Sequence, residues 1–229
     1  HLLIILSILL LSSPLFGQSN PFSFSSGTKQ WTKQLGTSSV DIGYGVTVDS
    51  SGNIYVTGYT EGGLRGNTYS DSSDIFLVKF NSSGTKQWTK QLGTSSPEYG
   101  KGVTTDSSGN IYVTGVTWGN LDGNTNSGRN DIFLVKYNSS GTKQWTKQLG
   151  TSSDDEGNGV STDSSGNIYV TGYTYGGLDG NTNMGGECVK VGLDSTGTLK
   201  YEKIHCSDIF LIKYNSSGTK QWTKQLGTS

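Results

Sequence analysis

Apolar and polar residues alternate with a period of two in several short stretches of this chain. In "GYGVTVD" (43–49), Tyr44, Val46 and Val48 alternate with Gly45, Thr47 and Asp49. "NIYVTGYT" (53–60) sets Ile54, Val56 and Gly58 on one face and Tyr55, Thr57 and Tyr59 on the other. "DIFLVKF" (74–80) is the most apolar stretch, and "TKQWTKQLG" (85–93) puts Trp88 and Leu92 on the face of Lys86 and Lys90. This alternation predicts four strands packed between layers. The joints "DSSGN" (49–53) and "NSSGT" (81–85) predict tight turns, opened by Asp or Asn and closed by a Gly that accepts positive φ. A longer Gly/Asn-rich loop separates the second strand from the third.

The four-strand pattern repeats. Trp31, Trp88 and Trp145 stand 57 residues apart in identical "GTKQWTKQLGTSS" strings, and Trp222 follows 77 residues after Trp145. Four antiparallel strands per period, stacked face to face, predict the blades of a β-propeller. The expected blades run about 37–93, 94–150 and 151–229, with a lone fourth-strand copy before the first. The set is expected to be an incomplete propeller, because closure takes roughly four to eight blades. Glycines at 43 and 45, repeated at 100, 102, 157 and 159, predict a first strand crowded against the central axis. The paired lysines Lys86 and Lys90, and Lys143 and Lys147, predict a fourth strand on the outer edge. Trp31, Trp88, Trp145 and Trp222 are expected to be the structural core of the repeat, packed between sheets.

The units "VTVDSSGNIYVTGYT" and "DIFLVKYNSSGTKQW" resemble the bacterial SBBP-type β-propeller repeat, over about residues 25–229. The resemblance implies an exported propeller and supplies no catalytic residues.

Composition agrees with this architecture: 34 glycines, 31 % hydrophobic and 15 % charged residues disfavour helices. A net charge of -1 gives no field to draw nucleic acid or an anionic membrane. Residues 1–17 read as a signal peptide lacking its first residues, with the mature chain beginning near Gln18. The expected location is therefore secreted, periplasmic or cell-surface, with no membrane span in the mature chain and no lipid-bearing cysteine at the cleavage region. The third unit carries an insertion near 184–207 in which "VGLDSTGTLKYEK" (191–203) aligns with "VKYNSSGTKQWTK" (135–147). It reads as a diverged copy of the third-to-fourth-strand hairpin. Cys188 and Cys206, the only cysteines, flank it. They are a disulfide candidate, with two free thiols as the alternative; a turn centred on Ser195 and Thr196 sets Cys188 opposite Lys203, so bridging needs a bulge or divergent ends.

Candidate chemistry is sparse. No HExxH, GxSxG or CxxC string is present, and "GTSSPEYGKG" (93–102) has the wrong glycine spacing for a phosphate loop. Asp122, Asn124 and Asn126, matched by Asp179, Asn181 and Asn183, alternate like the start of a calcium loop. Phe133 stands where the closing glutamate belongs, so an Asx-turn loop is the preferred reading and no cofactor is expected. Asp41, Glu98 and Asp155 precede the first strand of each unit and read as turn caps, with an acidic cation-binding ring as the alternative. "NSS" at Asn81, Asn138 and Asn215 fits both a glycosylation acceptor and a hairpin turn; the family resemblance favours the turn. Near-identical blades present the same groups several times, which suits multivalent binding better than catalysis. The expected function is a non-catalytic binding or scaffold module, engaging a protein or glycan through the loops near 61–73, 118–130 and 175–187. Edge-to-edge self-association or further blades complete that expectation. The alternative is a hydrolase or lyase built on the insertion and its His205.

Overall fold

The computed structural model describes residues 27–184, 187–193, 195–196 and 198–227, with backbone alone for 187–190 and 202–205. The signal-peptide reading of 1–17 lies outside the described residues. Of the described residues, 27–32 belong to one unit and those from Lys33 onward to another, and the second holds every strand described.

Three blades are present, as the alternation predicts. The first comprises β1 (Asp41–Val48), β2 (Ile54–Thr60), β3 (Asp74–Phe80) and β4 (Lys86–Leu92). The second comprises β5 (Glu98–Thr105), β6 (Ile111–Thr117), β7 (Asp131–Tyr137) and β8 (Lys143–Leu149). The third opens with β9 (Asp155–Thr162) and β10 (Ile168–Thr174), is interrupted by β11 (Glu187–Leu193) and β12 (Leu199–His205), and closes with β13 (Asp208–Tyr214) and β14 (Lys220–Leu226). Each blade is a four-stranded antiparallel sheet in chain order, except that β10 skips the insertion and pairs with β13. The inserted hairpin is a two-stranded sheet of its own. Its register sets Cys188 opposite Ile204 rather than Lys203, because the turn between Leu193 and Leu199 is one residue longer than a centre at Ser195 and Thr196 allows.

Blades pack first to second and second to third, mainly through the first strands β1, β5 and β9. Glycine makes this approach possible. A Cβ on Gly45 would stand 2.8 Å from the Lys101 carbonyl oxygen, and one on Gly102 would stand 3.1 Å from that of Asn158. The first seam buries Tyr55, Ile75 and Leu77 of one blade against Val103, Phe133 and Val135 of the next. The second repeats it with Tyr112, Ile132 and Leu134 against Val170, Phe210 and Ile212. Beyond the third blade the pattern is left open: Ile209 is 61 % exposed, where its counterparts Ile75 and Ile132 are each 2 % exposed. Leu211, Trp222 and Leu226 of that face are exposed too. On the opposite end Val46 is 67 % exposed against 8 % for its counterpart Val103. The three blades are thus an open, incomplete propeller with apolar faces at both ends.

The same letters do not always give the same element. "TKQWTKQL" is a strand in β4, β8 and β14, yet residues 28–35 form no strand. A strand needs a ladder partner, and each of the three paired copies has a "DIFL" strand before it, which the leading copy lacks.

Candidate functional site

The long loops expected to engage a ligand are pinned to the blades. Each contains a 3₁₀ turn whose leucine, Leu64, Leu121 or Leu178, is fully buried. A glutamine of the fourth strand holds that turn: Leu121 N–H donates to Gln148 Oε1 at 3.0 Å, while Gln148 Nε2 donates to the Gly119 carbonyl and to Asp131 Oδ2, each at 3.0 Å. Asp131 Oδ1 faces Gly150, where a Cβ would come within 2.0 Å of it. Gln91 and Gln225 repeat the arrangement. The polar composition of the loops conceals one apolar anchor in each.

The calcium candidates are engaged within this frame. Asp122 sits in the left-handed region at φ 56°, accepts from Lys143 Nζ, and accepts from Thr146 Oγ1 at 2.8 Å. Asn124 Nδ2 donates to the Leu121 carbonyl, and Asn126 Oδ1 accepts from Gly128 N–H, both at 2.8 Å. Asp179 pairs likewise with Lys220 and Thr223, Asn181 with Leu178, and Asn183 Nδ2 with the Tyr175 carbonyl. Partial burial acts to raise the Asp122 carboxyl, but the lysine and threonine beside it together outweigh that and hold it below the usual range. Among the described residues, no three His, Cys, Asp or Glu side chains gather as metal ligands do.

Asp41, Glu98 and Asp155 cap the "GTSS" turns. Glu98 accepts from Thr94 N–H at 2.8 Å, from Thr94 Oγ1 at 2.6 Å and from Thr117 Oγ1 at 3.0 Å. Burial raises the Glu98 and Asp155 carboxyls despite these bonds. The "DSSGN" turns close as expected, and the following tyrosine adds a tie: Asp106 accepts from Ser108 and Asn110 N–H at 2.9 Å and from the Tyr112 hydroxyl at 2.9 Å. Asn81 Oδ1 accepts from Thr85 N–H at 2.8 Å in the "NSSGT" turn, repeated at Asn138 and Asn215.

Trp88 and Trp145 are half-buried against the seams, with ring centroids 6.1 Å from Tyr55 and 6.2 Å from Tyr112. Trp222 keeps its Tyr169 neighbour at 6.4 Å but is exposed, because no further sheet covers it. Trp31, in the first unit, is also exposed. Packing between sheets therefore describes two of the four tryptophans. The disulfide candidate falls outside the described residues at Cys188, whose side chain is not among them, and Cys206 lies in the link between β12 and β13. The His205 side chain is likewise outside them.

A site that sequence reading missed lies where the blades differ. Position for position, Ile42, Tyr99 and Glu156 are equivalent, as are Tyr44, Lys101 and Asn158; Tyr59, Val116 and Tyr173; and Glu61, Trp118 and Tyr175. These positions occupy the start of the first strand and the end of the second, so stacking the blades brings them to one rim. Tyr44 meets Tyr59 at 6.0 Å between centroids, Tyr59 meets Tyr99 across the seam at 4.6 Å, and Tyr99 meets Trp118 at 5.3 Å. The row ends in two exposed rings, Tyr44 at 54 % and Trp118 at 36 %. Along the same rim Lys101 pairs with Glu156, and the Tyr173 hydroxyl donates to Glu156. Desolvation, then the neighbouring Tyr44 and Tyr99, raise the Tyr59 phenol. The signal was present as variation among near-identical repeats, scattered over residues 42–175.

No helix among the described residues is long and apolar enough to cross a membrane. The chain is 28 % identical over 88 % of its length to the mimivirus (Acanthamoeba polyphaga mimivirus) "Uncharacterized WD repeat-containing protein L264". It is 25 % identical over 72 % of its length to "Regulatory protein FlaEY" of Caulobacter vibrioides. It covers 18 % and 17 % of those proteins, under a fifth of each. The family described as "SBBP: Beta-propeller repeat" matches residues 30–65, 87–122 and 144–179, one match for each period read from the sequence. With three tandem matches and three four-stranded blades, the chain belongs to the SBBP β-propeller repeat proteins.

Proposed function

We propose that this repeat protein is an exported, non-catalytic binding or scaffold module acting at the bacterial cell surface. One observation carries the binding role: blades that otherwise match almost letter for letter concentrate their differences at one rim, and there Tyr44 and Trp118 are exposed aromatic rings. Packing does not call for that difference, since the third blade stacks on the second with Glu156 where the second stacks on the first with Tyr99. A protein or glycan ligand meets this rim and the exposed parts of the adjoining loops. The scaffold role is supported by the open face of Ile209, Leu211 and Leu226, whose counterparts are covered by a following blade. A further blade, in the same chain or in a second copy, covers it.

The test replaces Tyr99 with Ile and Trp118 with Glu, the residues the first blade already carries. Thermal unfolding and binding to glycan arrays and surface-protein panels are then measured. Lost binding with an unchanged unfolding temperature supports the reading. Identical binding profiles, or no binding by the parent chain, would sink it.

A further inference from the structure

We propose that the Tyr44–Tyr59–Tyr99–Trp118 row, with Glu61 at its edge, binds a quaternary ammonium group such as the trimethylammonium head of choline. The inference rests on the binding-module reading and names the ligand class for that rim.

Charge comes first. An aromatic face carries negative potential and attracts a cation placed over it. Elsewhere in this chain such faces are already occupied: Lys79 stands 5.4 Å from the Tyr55 centroid, Lys136 5.4 Å from Tyr112, Lys213 5.6 Å from Tyr169, and Lys147 6.0 Å from Trp145. Among the described residues, no lysine or arginine stands over a ring of the row. Lys101, on the same strand as Tyr99, is held by Glu156. Glu61 follows Tyr59 by two residues and adds a negative charge felt at the Tyr59 phenol; its Oε1 accepts from Ser73 Oγ at 3.4 Å, and it has no ion-pair partner among the described residues. The row is therefore an electron-rich wall with an unneutralised carboxylate at its edge.

Shape selects the kind of cation. Neighbouring rings are tilted by 33°, 48° and 68°, so the row presents faces at several angles rather than one flat platform. Steps of 6.0, 4.6 and 5.3 Å, two between tilted rings and one T-shaped, keep neighbouring rings close enough for a compact, nearly spherical group to lie against more than one of them. A primary ammonium is strongly hydrated and demands acceptors for three N–H donors. A quaternary ammonium has no N–H to satisfy and presents methyl groups, which suits a wall of rings.

Choline and its uncharged isostere 3,3-dimethyl-1-butanol are titrated into the chain and followed by calorimetry and by the Trp118 indole N–H resonance. Choline is expected to bind at least about tenfold more tightly than the isostere. Trp118→Ala and Tyr99→Ala are expected to weaken choline at least about tenfold. Because a ring deletion can disturb the fold, Glu61→Gln at an exposed position serves as a second variant, and it too is expected to weaken choline. Equal affinity for the isostere, unchanged affinity in Trp118→Ala and Glu61→Gln, or no choline binding by the folded chain overturns the proposal. If choline fails while glycan or protein binding still depends on Tyr99 and Trp118, only the ligand class falls; if both fail, the binding-module reading falls with it.

Discussion

Carboxylates in this chain sit in two opposite environments, and their balance sets how stability changes with pH. Asp163 is held down to about 2, first by the Asn167 side chain and then by the Asn167 N–H, the Tyr169 hydroxyl and the Ser165 N–H, against a smaller opposing effect of burial. Its pKa is lower in the folded than in the unfolded chain, so its stabilisation is full above about pH 4 and is lost as pH falls towards 2. Asp74, Glu98 and Asp155 are shifted the other way, raised chiefly by burial. Their charged forms are better tolerated in the unfolded chain, so they oppose folding at neutral pH, and that opposition fades as pH falls through their raised values. The denaturation midpoint is expected to rise on mild acidification and then fall between about pH 4 and 2, as the "DSSGN" aspartates protonate. Glu98→Gln removes one contribution to the upper limb and should flatten it. Denaturant titrations at stepped pH check this, and a midpoint that falls steadily from pH 7 downward would contradict it.

At the scale of the element, one sequence occupies several environments, which separates propensity from packing. Trp145 is half-buried in the second seam, whereas Trp222, on an identical "TKQWTKQL" strand, faces outward. Trp145→Ala is expected to cost about 3–5 kcal/mol and Trp222→Ala about 1 kcal/mol or less, as measured by chemical unfolding of each variant. Equal losses would mean that the strand itself, rather than its neighbour, sets the cost. The four strands and their turns were legible in the sequence because alternation and turn chemistry are local. The burial of Leu64, Leu121 and Leu178 was not, since one leucine among glycines and asparagines leaves no periodic trace. Nor was the aromatic row, because Tyr59 and Tyr99 are forty residues apart and meet only when two blades stack. The register of the inserted hairpin escaped by one residue, a difference that turn composition does not encode.

For the molecule as a whole, the open face of the third blade governs solution behaviour. Ile209, Leu211 and Leu226 present the surface that Ile75, Leu77 and Leu92 bury in the first seam. An exposed contiguous apolar face of this kind favours association. The chain is expected to self-associate with rising concentration, and Leu211→Glu should shift it towards monomer without lowering its unfolding temperature; light scattering coupled to size exclusion checks both. A monomer at all concentrations would show that the face stays uncovered. The copy at 28–35, which forms no strand, bears on how the chain folds. It carries the same letters as β4, β8 and β14, so no "DIFL" strand can tell its own partner from this spare one by sequence. Only the short "NSSGT" connection, through its small closure entropy, favours the correct choice. Where two chains refold side by side that advantage shrinks, and exchanged strands become a route to entangled, misassembled copies. Near-identity among blades therefore carries a kinetic hazard, and dilution during refolding is its remedy.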